Sequence, residues 1–443
     1  MGQLRAPIYA QIELTYSCNL GCPHCLNDER YGCGGGLETQ LVKKEPVETP
    51  RFRDIAQRLV EWGVFTATLT GGEPLMVRDR LFEALPVLSD AGLYMDMNSN
   101  LCLMDEDTTK QLADMGLRGI LTSLSSHIPE VHNAKMGREY TNPFHKTLRG
   151  IEIVRKIAPH LFLSSNMVLA NDNYEHVYEV GKLLAERGVQ GFTVTPLTPS
   201  RTGLQAQRQK MPSDQMMLEA LYTLRKVEDD FGIKTRVLQG LPHCFLHPHI
   251  LLRKYMQAGC DAGKTYITVN PFGQVKACSQ IPDEHGNILT GDLDVIWERM
   301  NGYRENAYVP PACEPCDLKD SCGGGCRAEA ERRTETDLVA KHPFMRRPLK
   351  FREVETPEIN IDNRIGETYR VHPSLMWREE GQGSYLVQGP AGQYVMMSGD
   401  NLAYLSTVMG KGGEFKLTPE LATNQRFAKF VVNAIQNNLL EVA

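Results

Sequence analysis

"CNLGCPHC", residues 18–25, gathers three cysteines with three residues between Cys18 and Cys22 and two between Cys22 and Cys25. Thiols this close can staple a loop, hold a zinc ion, or hold iron and sulfide. The stretch follows directly on "IYAQIEL" (8–14), an apolar run with strand character, so the thiols occupy a loop at a strand's C-terminal end. Structural zinc takes four protein ligands. No fourth stands nearby, and His24 lies between two of the thiols with little freedom to reach the same ion. A [4Fe–4S] cluster held by three cysteines instead keeps one iron open for another ligand, and this is the sharper reading.

Outward from that loop, short apolar runs alternate with amphipathic stretches as far as about residue 240. Runs at 8–14, 65–70, 93–99, 119–125, 161–169 and 191–197 read as strands. Between them lie helical segments such as "TPRFRDIAQRLVEWG", "DRLFEALPVLSDAG" and "DEDTTKQLADMG", several starting with Thr or Asp and ending in Gly, as capped helices do. Alternating strand and helix means parallel strands with crossover helices. Six units predict an α/β fold, a partial (β/α)6 TIM-like barrel over 1–240, with its chemistry where strands end and loops begin.

The chain has 443 residues, 42% hydrophobic and 23% charged, with net charge −6, and so lacks a basic footprint for nucleic acid. The basic run "KHPFMRRPLKFR" (341–352) reads as solvated linker. No apolar run reaches membrane-spanning length, and the first residues lack a signal-peptide core or a good myristoylation match, so a cytoplasmic protein with no membrane partner is expected. In a reducing compartment, clustered cysteines are metal ligands more often than disulfides. Ten of the twelve fall in two zones, 18–25 and 244–326; Cys33 and Cys102 are taken as structural thiols.

The second strand ends in "TLTGGEP" (68–74). Gly71 and Gly72 remove side chains where a ligand must meet backbone, Glu73 adds a negative charge at the same rim, and Pro74 suits a first helical turn. With "CNLGCPHC" after the first strand, this resembles the radical S-adenosylmethionine superfamily over about residues 8–240. The resemblance implies that Cys18, Cys22 and Cys25 ligate a [4Fe–4S] cluster whose fourth iron is chelated by S-adenosylmethionine. One electron then cleaves the sulfonium to a 5′-deoxyadenosyl radical, which abstracts a substrate hydrogen. It further implies that Gly71, Gly72, Glu73 and Pro74 hold the methionine amino end, with Asn98, Asn100 and Ser123 also facing the cofactor. Asn100 is expected in the left-handed conformation that glycine usually supplies. Ser125 replaces a common Asp. An Arg common in relatives falls on Met136, with Lys135 or Arg138 as substitutes.

A second cysteine zone spans 241–335. "CDAGKTYITVNPFGQVKAC" (260–278) and "CEPCDLKDSCGGGC" (313–326) resemble the SPASM domain, which holds auxiliary Fe–S clusters, with "VNPFGQVKAC" as its β-hairpin. A zinc ribbon is the plainer alternative. Two fully Cys-ligated clusters need eight thiolates, and the zone offers seven. The resemblance implies that Cys244, Cys260, Cys278 and Cys326 form one cluster, while Cys313, Cys316 and Cys322 form another whose fourth ligand is Asp317, Asp320, Asp337, His342, water or a substrate group. If Cys244 is a bystander, the first of these is the open one.

Residues 336–365 read as a linker. The last stretch, 366–443, resembles the small winged-helix RiPP recognition elements related to the PQQ peptide chaperone, which capture a leader peptide as an added strand. The hairpin 384–398 would be the docking edge, and an apolar stripe from Phe427 to Leu439 marks a helix facing a core. These resemblances imply a radical enzyme that modifies a ribosomally made precursor peptide, by crosslink, epimerisation or excision, and draws electrons from a donor such as flavodoxin or ferredoxin. Tetrapyrrole side-chain chemistry and sulfatase maturation are the enzymatic rivals, although Ser279 stands where sulfatase-maturing relatives carry an Asp base. An iron–sulfur electron carrier that only binds peptide is the non-enzymatic rival.

Overall fold

The computed structural model describes residues 4–27, 51–137, 141–200, 207–256, 259–350, 361–371, 375–381, 383–389, 394–410, 413–437 and 439–442. Cys33 and Arg138 lie outside these residues. Two compact units emerge, one of residues 6–350 and one of residues 1–5 with 351–443.

In the larger unit, β1 (Tyr9–Glu13), β2 (Thr66–Thr70), β3 (Tyr94–Asn98), β4 (Gly119–Ser123), β5 (Phe162–Leu169) and β6 (Gly191–Pro196) lie side by side in chain order, all parallel. Each falls within two residues of its predicted run. The crossovers are α1 (Phe52–Trp62), α2 (Arg78–Asp90), α3 (Glu106–Asp114), α4 (Pro129–Met136), α5 (Pro143–Ile157) and α6 (Val177–Ala185). A further helix, α7 (Asp214–Phe231), leads to β7 (Lys234–Val237), which extends the sheet beyond the six predicted units. Lys234 and Arg236 interrupt β7, which has one buried residue in four, so no apolar run betrays it. Capping follows expectation at α3, where Asp105 accepts a hydrogen bond from Thr108 N at 2.7 Å. At α1 the N-cap is Arg51, with no side-chain bond.

Alternation along the strands sorts the residues onto two faces. Ile12, Leu69 and Met97 are fully buried on the face that the crossover helices cover. Their neighbours Gln11, Thr68 and Asp96 pair in register across β1–β3 and turn to the inside of the open barrel. Thr68 there hydrogen-bonds both Tyr9 and Asp96. Burial raises the Asp96 carboxyl to about 6, against the lowering effect of that Thr68 bond.

The sheet continues past β1 in the other direction. The expected hairpin of the cysteine zone forms β8 (Tyr266–Val269) and β9 (Gln274–Lys276), joined by β10 (Glu284–Asn287). β8 pairs in parallel with β1, Tyr9 opposite Tyr266 through Ile12 opposite Val269, so ten strands form one sheet.

The stretch expected as linker divides. Residues up to Lys350 belong to the larger unit, with His342 and Phe344 buried and Phe344 stacked on Phe245 at 5.0 Å. Residues 351–360 lie outside the described ones.

The smaller unit holds two three-stranded sheets. β12 (Met376–Gly381), β13 (Ser384–Gln388) and β14 (Tyr394–Ser398) form one, with β13 in the middle. β11 (Thr368–Val371) lies between β15 (Glu414–Lys416) and β16 (Leu440–Val442) in the other. Helices Gly399–Gly410, Pro419–Thr423 and Gln425–Gln436 accompany them. Phe427, Phe430, Val431 and Ala434 from the apolar stripe join Tyr369, Val387 and Leu405 in its core. Among the described residues, no helix is long and apolar enough to cross a membrane.

Candidate functional site

Past Glu13 the chain runs through Leu14–Ser17 into the triad loop, and the end of β2 runs beside it. Leu14 N donates to Thr70 O at 2.8 Å, Gly72 N to Thr15 O at 2.6 Å and Glu73 N to Ser17 O at 2.9 Å. A side chain on Gly71 would begin 2.3 Å from the Thr15 carbonyl, and one on Gly72 would begin 2.0 Å from that of Ser17. Gly71 also sits at φ 137°, where side-chain-bearing residues are strained. The two glycines therefore let the triad loop itself press against β2. The space a side chain would need at either position is taken by the chain itself.

Glu73 is 1% exposed. Its carboxylate accepts hydrogen bonds from Ser99 Oγ at 2.7 Å, Asn100 N at 2.9 Å and Leu75 N at 3.1 Å. Burial raises its pKa against these three bonds, which favour the charged form. The charge expected at the rim is thus turned inward, clamping the ends of β2 and β3 together. Pro74 opens the short turn Pro74–Met76, as its position suggested.

Asn100 Nδ2 reaches Asn19 Oδ1 at 2.8 Å, tying the third strand's turn to the triad loop. Its Oδ1 accepts from Cys102 N, and the left-handed residue is the next one, Leu101, at φ 60°. The side-chain turn made by Asn100 places the reversal one residue later than expected. Cys102 packs beside Thr147, and burial pushes its thiol up to about 11, as suits an inert structural thiol.

From the other side, Gly21 N donates to Met136 O at 3.0 Å, and the Cys22 and Met136 sulfurs lie 3.7 Å apart. Met136, on which the resemblance placed an arginine position, thus lies against the triad. Lys135 pairs with Asp172, 37 residues away, a partnership no local pattern signals. Ser125 is buried, its N–H donating to His132 Nδ1 at 3.2 Å, so it stands inside the wall.

Asn98 and Ser123 are half-buried at the ends of β3 and β4. Ser123 sits in register with Asn166 of β5, a residue the sequence patterns did not single out. Asn166 Oδ1 accepts from Thr193 and Thr195 hydroxyls at 3.0 and 2.8 Å, which orients its NH2 group as a donor. Asn98 and Ser123 close β3 and β4, Asn166 lies beside Ser123 within β5, and Asn98 registers two residues lower, opposite Leu121. Within "LFLSSNMVL" an amide on the polar face of a strand ending at this rim was the available signal.

All three triad thiols are partly exposed, and Leu20 N points at Cys18 Sγ from 3.4 Å. Among the described residues, no group of three or more His, Cys, Asp or Glu side chains closes on a single ion. An iron–sulfur core needs its thiols around a common space rather than converging on one point, and Cys244, Cys313, Cys316 and Cys322 line one pocket. This differs from the grouping the resemblance implied, in which Cys244 joined Cys260, Cys278 and Cys326. Segment 342–350 wraps the cavity, with Arg346 N donating to Cys244 Sγ at 3.1 Å and Leu349 N to Cys316 Sγ at 3.4 Å. His243 N reaches Cys322 Sγ at 3.3 Å, and Glu329 N reaches Cys326 Sγ at 3.4 Å.

Burial pushes the Cys278 and Cys313 thiols up to about 11 and raises Cys244 and Cys326 as well. Such thiols become thiolates only when a cation compensates them, which iron does on binding. The donor set fits iron–sulfur clusters. Arg327 adds a fixed positive charge: it is 2% exposed, donates to the Gly324, Gly325, Leu338 and Ala340 carbonyls, and has no carboxylate partner among the described residues. Cys260, Cys326, Cys313 and Cys322 are the thiols near enough to feel it.

An open parallel barrel with a three-thiol loop at the end of its first strand defines the class of enzyme. Residues 12–184 match the Radical SAM superfamily model, so the chain carries a radical SAM domain and is an enzyme of that type, working with a [4Fe–4S] cluster and S-adenosylmethionine. The chain is 26% identical over 355 residues to the AdoMet-dependent heme synthase of Methanosarcina barkeri, a match covering 76% of this chain and 96% of that one. It is 28% identical over 335 residues to the mycofactocin maturase MftC of Mycobacterium tuberculosis, covering 73% and 79%. Its fold is similar to Streptococcus suis SuiB bound to S-adenosylmethionine, with a TM-score of 0.58 at 17% identity and 77% of each chain covered.

Proposed function

We propose that this enzyme matures a ribosomally made precursor peptide in the cytosol, with Cys18, Cys22 and Cys25 holding the S-adenosylmethionine-binding cluster. The single observation that carries the site reading is the hydrogen-bonded seam between the triad loop and Gly71–Glu73, which puts three thiols and a polar rim at one end of the barrel. When bound, the cluster supplies the electron that turns S-adenosylmethionine into a hydrogen-abstracting radical. The chain's own residues do the rest. Gly71 to Pro74 present backbone at the rim while the Glu73 side chain braces the turn beneath. Asn98, Ser123 and Asn166 offer hydrogen bonds from three adjacent strands, β3, β4 and β5. Arg138 lies outside the described residues and stays the candidate partner for the methionine carboxylate, because Lys135 is engaged by Asp172.

A peptide substrate is favoured by the similarity to a mycofactocin maturase and by the C-terminal unit. Both the heme synthase match and the maturase match leave about a quarter of this chain without a counterpart. Residues 366–443 would be the leader-binding module. With β13 flanked on both sides, the docking edge of the hairpin is β14, which has no further strand neighbour among the described residues. Residues 241–335 would be a SPASM domain exchanging electrons with the substrate and an external donor.

Anaerobically reconstituted, reduced protein given S-adenosylmethionine should release 5′-deoxyadenosine and change the mass of a leader-bearing peptide encoded beside its gene. Deleting 366–443 should abolish the peptide modification and spare the basal release. Unchanged peptide turnover after that deletion would remove the recognition role.

A further inference from the structure

We propose that the seven thiols of the second zone divide four and three. Cys244, Cys313, Cys316 and Cys322 close one site; Cys260, Cys278 and Cys326 form another, which leaves one iron position to a ligand other than cysteine. The inference rests on the reading of this zone as an iron–sulfur domain.

Three observations place Cys244. It lines the same cavity as Cys313, Cys316 and Cys322. The thiols near enough to act on its charge are Cys322 and Cys316, and Cys313 in turn feels Cys322, Cys244 and Cys316. One short wrap serves two of these sulfurs, since Arg346 N and Leu349 N, three residues apart, bond Cys244 and Cys316.

The remaining thiols answer to one another. Cys326 has Cys260 and Cys278 as its thiol neighbours, and Cys278 has Cys260. Cys322 and Cys326 are four residues apart, yet they serve different sites because Gly323, Gly324 and Gly325 between them all take left-handed backbone, at φ 60°, 78° and 81°. Three such residues in a row give the chain between the two thiols a backbone that side-chain-bearing residues rarely adopt.

The three-thiol site also has oxygen donors to spare. Buried polar atoms are nearly always hydrogen-bonded, and an exception calls for an explanation. Here Tyr303 Oη and Gln280 Oε1 are buried without a hydrogen-bond partner among the described residues. Tyr303 is 4% exposed, has Cys260 and Cys278 among its charge neighbours, and lines one cleft with Cys260. Gln280 follows Cys278 by two residues. An iron corner with an oxygen or nitrogen ligand is the use this arrangement suits.

The test uses full-length protein with Cys18, Cys22 and Cys25 changed to Ala, so that only auxiliary clusters remain. After anaerobic reconstitution and reduction, electron paramagnetic resonance should show two cluster signals. Cys244→Ala and Cys316→Ala should both shift or abolish the same signal, Cys278→Ala the other, and isotopically labelled cyanide should couple to the Cys278-dependent signal alone. Where Cys244→Ala loses all iron through misfolding, Cys244→Ser supplies the same comparison. A Cys244 variant that alters the Cys278-dependent signal, or cyanide that couples to the Cys244-dependent signal, overturns the division while leaving the iron–sulfur reading intact. Protein that binds no iron once the triad is gone overturns both.

Discussion

The two cysteine regions reach order by different physics. The triad loop hangs from a sheet whose alternate residues are fully buried aliphatics, and side chains far apart in sequence, such as Glu73 with Ser99 and Asn19 with Asn100, hold its surroundings. The second zone beyond its hairpin has short helices of four to eight residues, glycine reversals, and backbone N–H groups aimed at sulfur. An apolar sheet carries the first site. In the second, burial raises the thiols of Cys244, Cys278, Cys313 and Cys326 near the buried Arg327 cation, which has no carboxylate partner among the described residues.

The sharpest way to break this contrast is at the triad. Cys22→Ala should lower 5′-deoxyadenosine release at least about a thousand-fold, while thermal unfolding of the barrel moves by less than about 1 kcal/mol, because the side chain is half-buried in a loop. Strong destabilisation would show that the first site also depends on its metal. Stripping iron should next raise hydrogen exchange of the Glu329, Arg346 and Leu349 amides by about a hundred-fold, with β1–β6 still protected. Equal loss in both regions would erase the distinction.

Asp96 sharpens the comparison within the barrel. An acid whose folded pKa is raised stabilises the fold below its unfolded pKa and loses that contribution as pH rises through the folded value. With Asp96 at about 6 against the usual 3.8, stability should fall between those values by at most about 3 kcal/mol, less whatever lumen water screens. Urea unfolding of Asp96→Asn at both ends of that window should lack the decline. The smallest effect is expected at Arg327. Removing its charge in Arg327→Gln should lower the midpoint potentials of both auxiliary signals, by roughly tens of millivolts, in a potentiometric titration, and leave the triad's potential unchanged.

Local patterns exposed the parts of this molecule that local forces build. The six strands, the Asp105 cap, the triad and the stripe from Phe427 all follow from spacing along the chain. What stayed hidden depends on distant partners. β7 is too polar and short to announce itself, Asn166 acquires its role only from register with Ser123 and from Thr193 and Thr195, and Gly71 and Gly72 are explained by Thr15 and Ser17. The seven thiols could be counted, but their division depends on a wrap from residues 342–350 that read as linker.

The parallel pairing of β8 with β1 has a consequence for electron flow. One-electron passage falls off steeply with separation, so a relay needs its stations at a fixed spacing. Here the strand that leads into the triad and the hairpin that leads into Cys278 are rungs of one ladder. On the proposed cluster assignment, the gap between donor and acceptor is set by peptide hydrogen bonds rather than by the length of chain that joins the two strands.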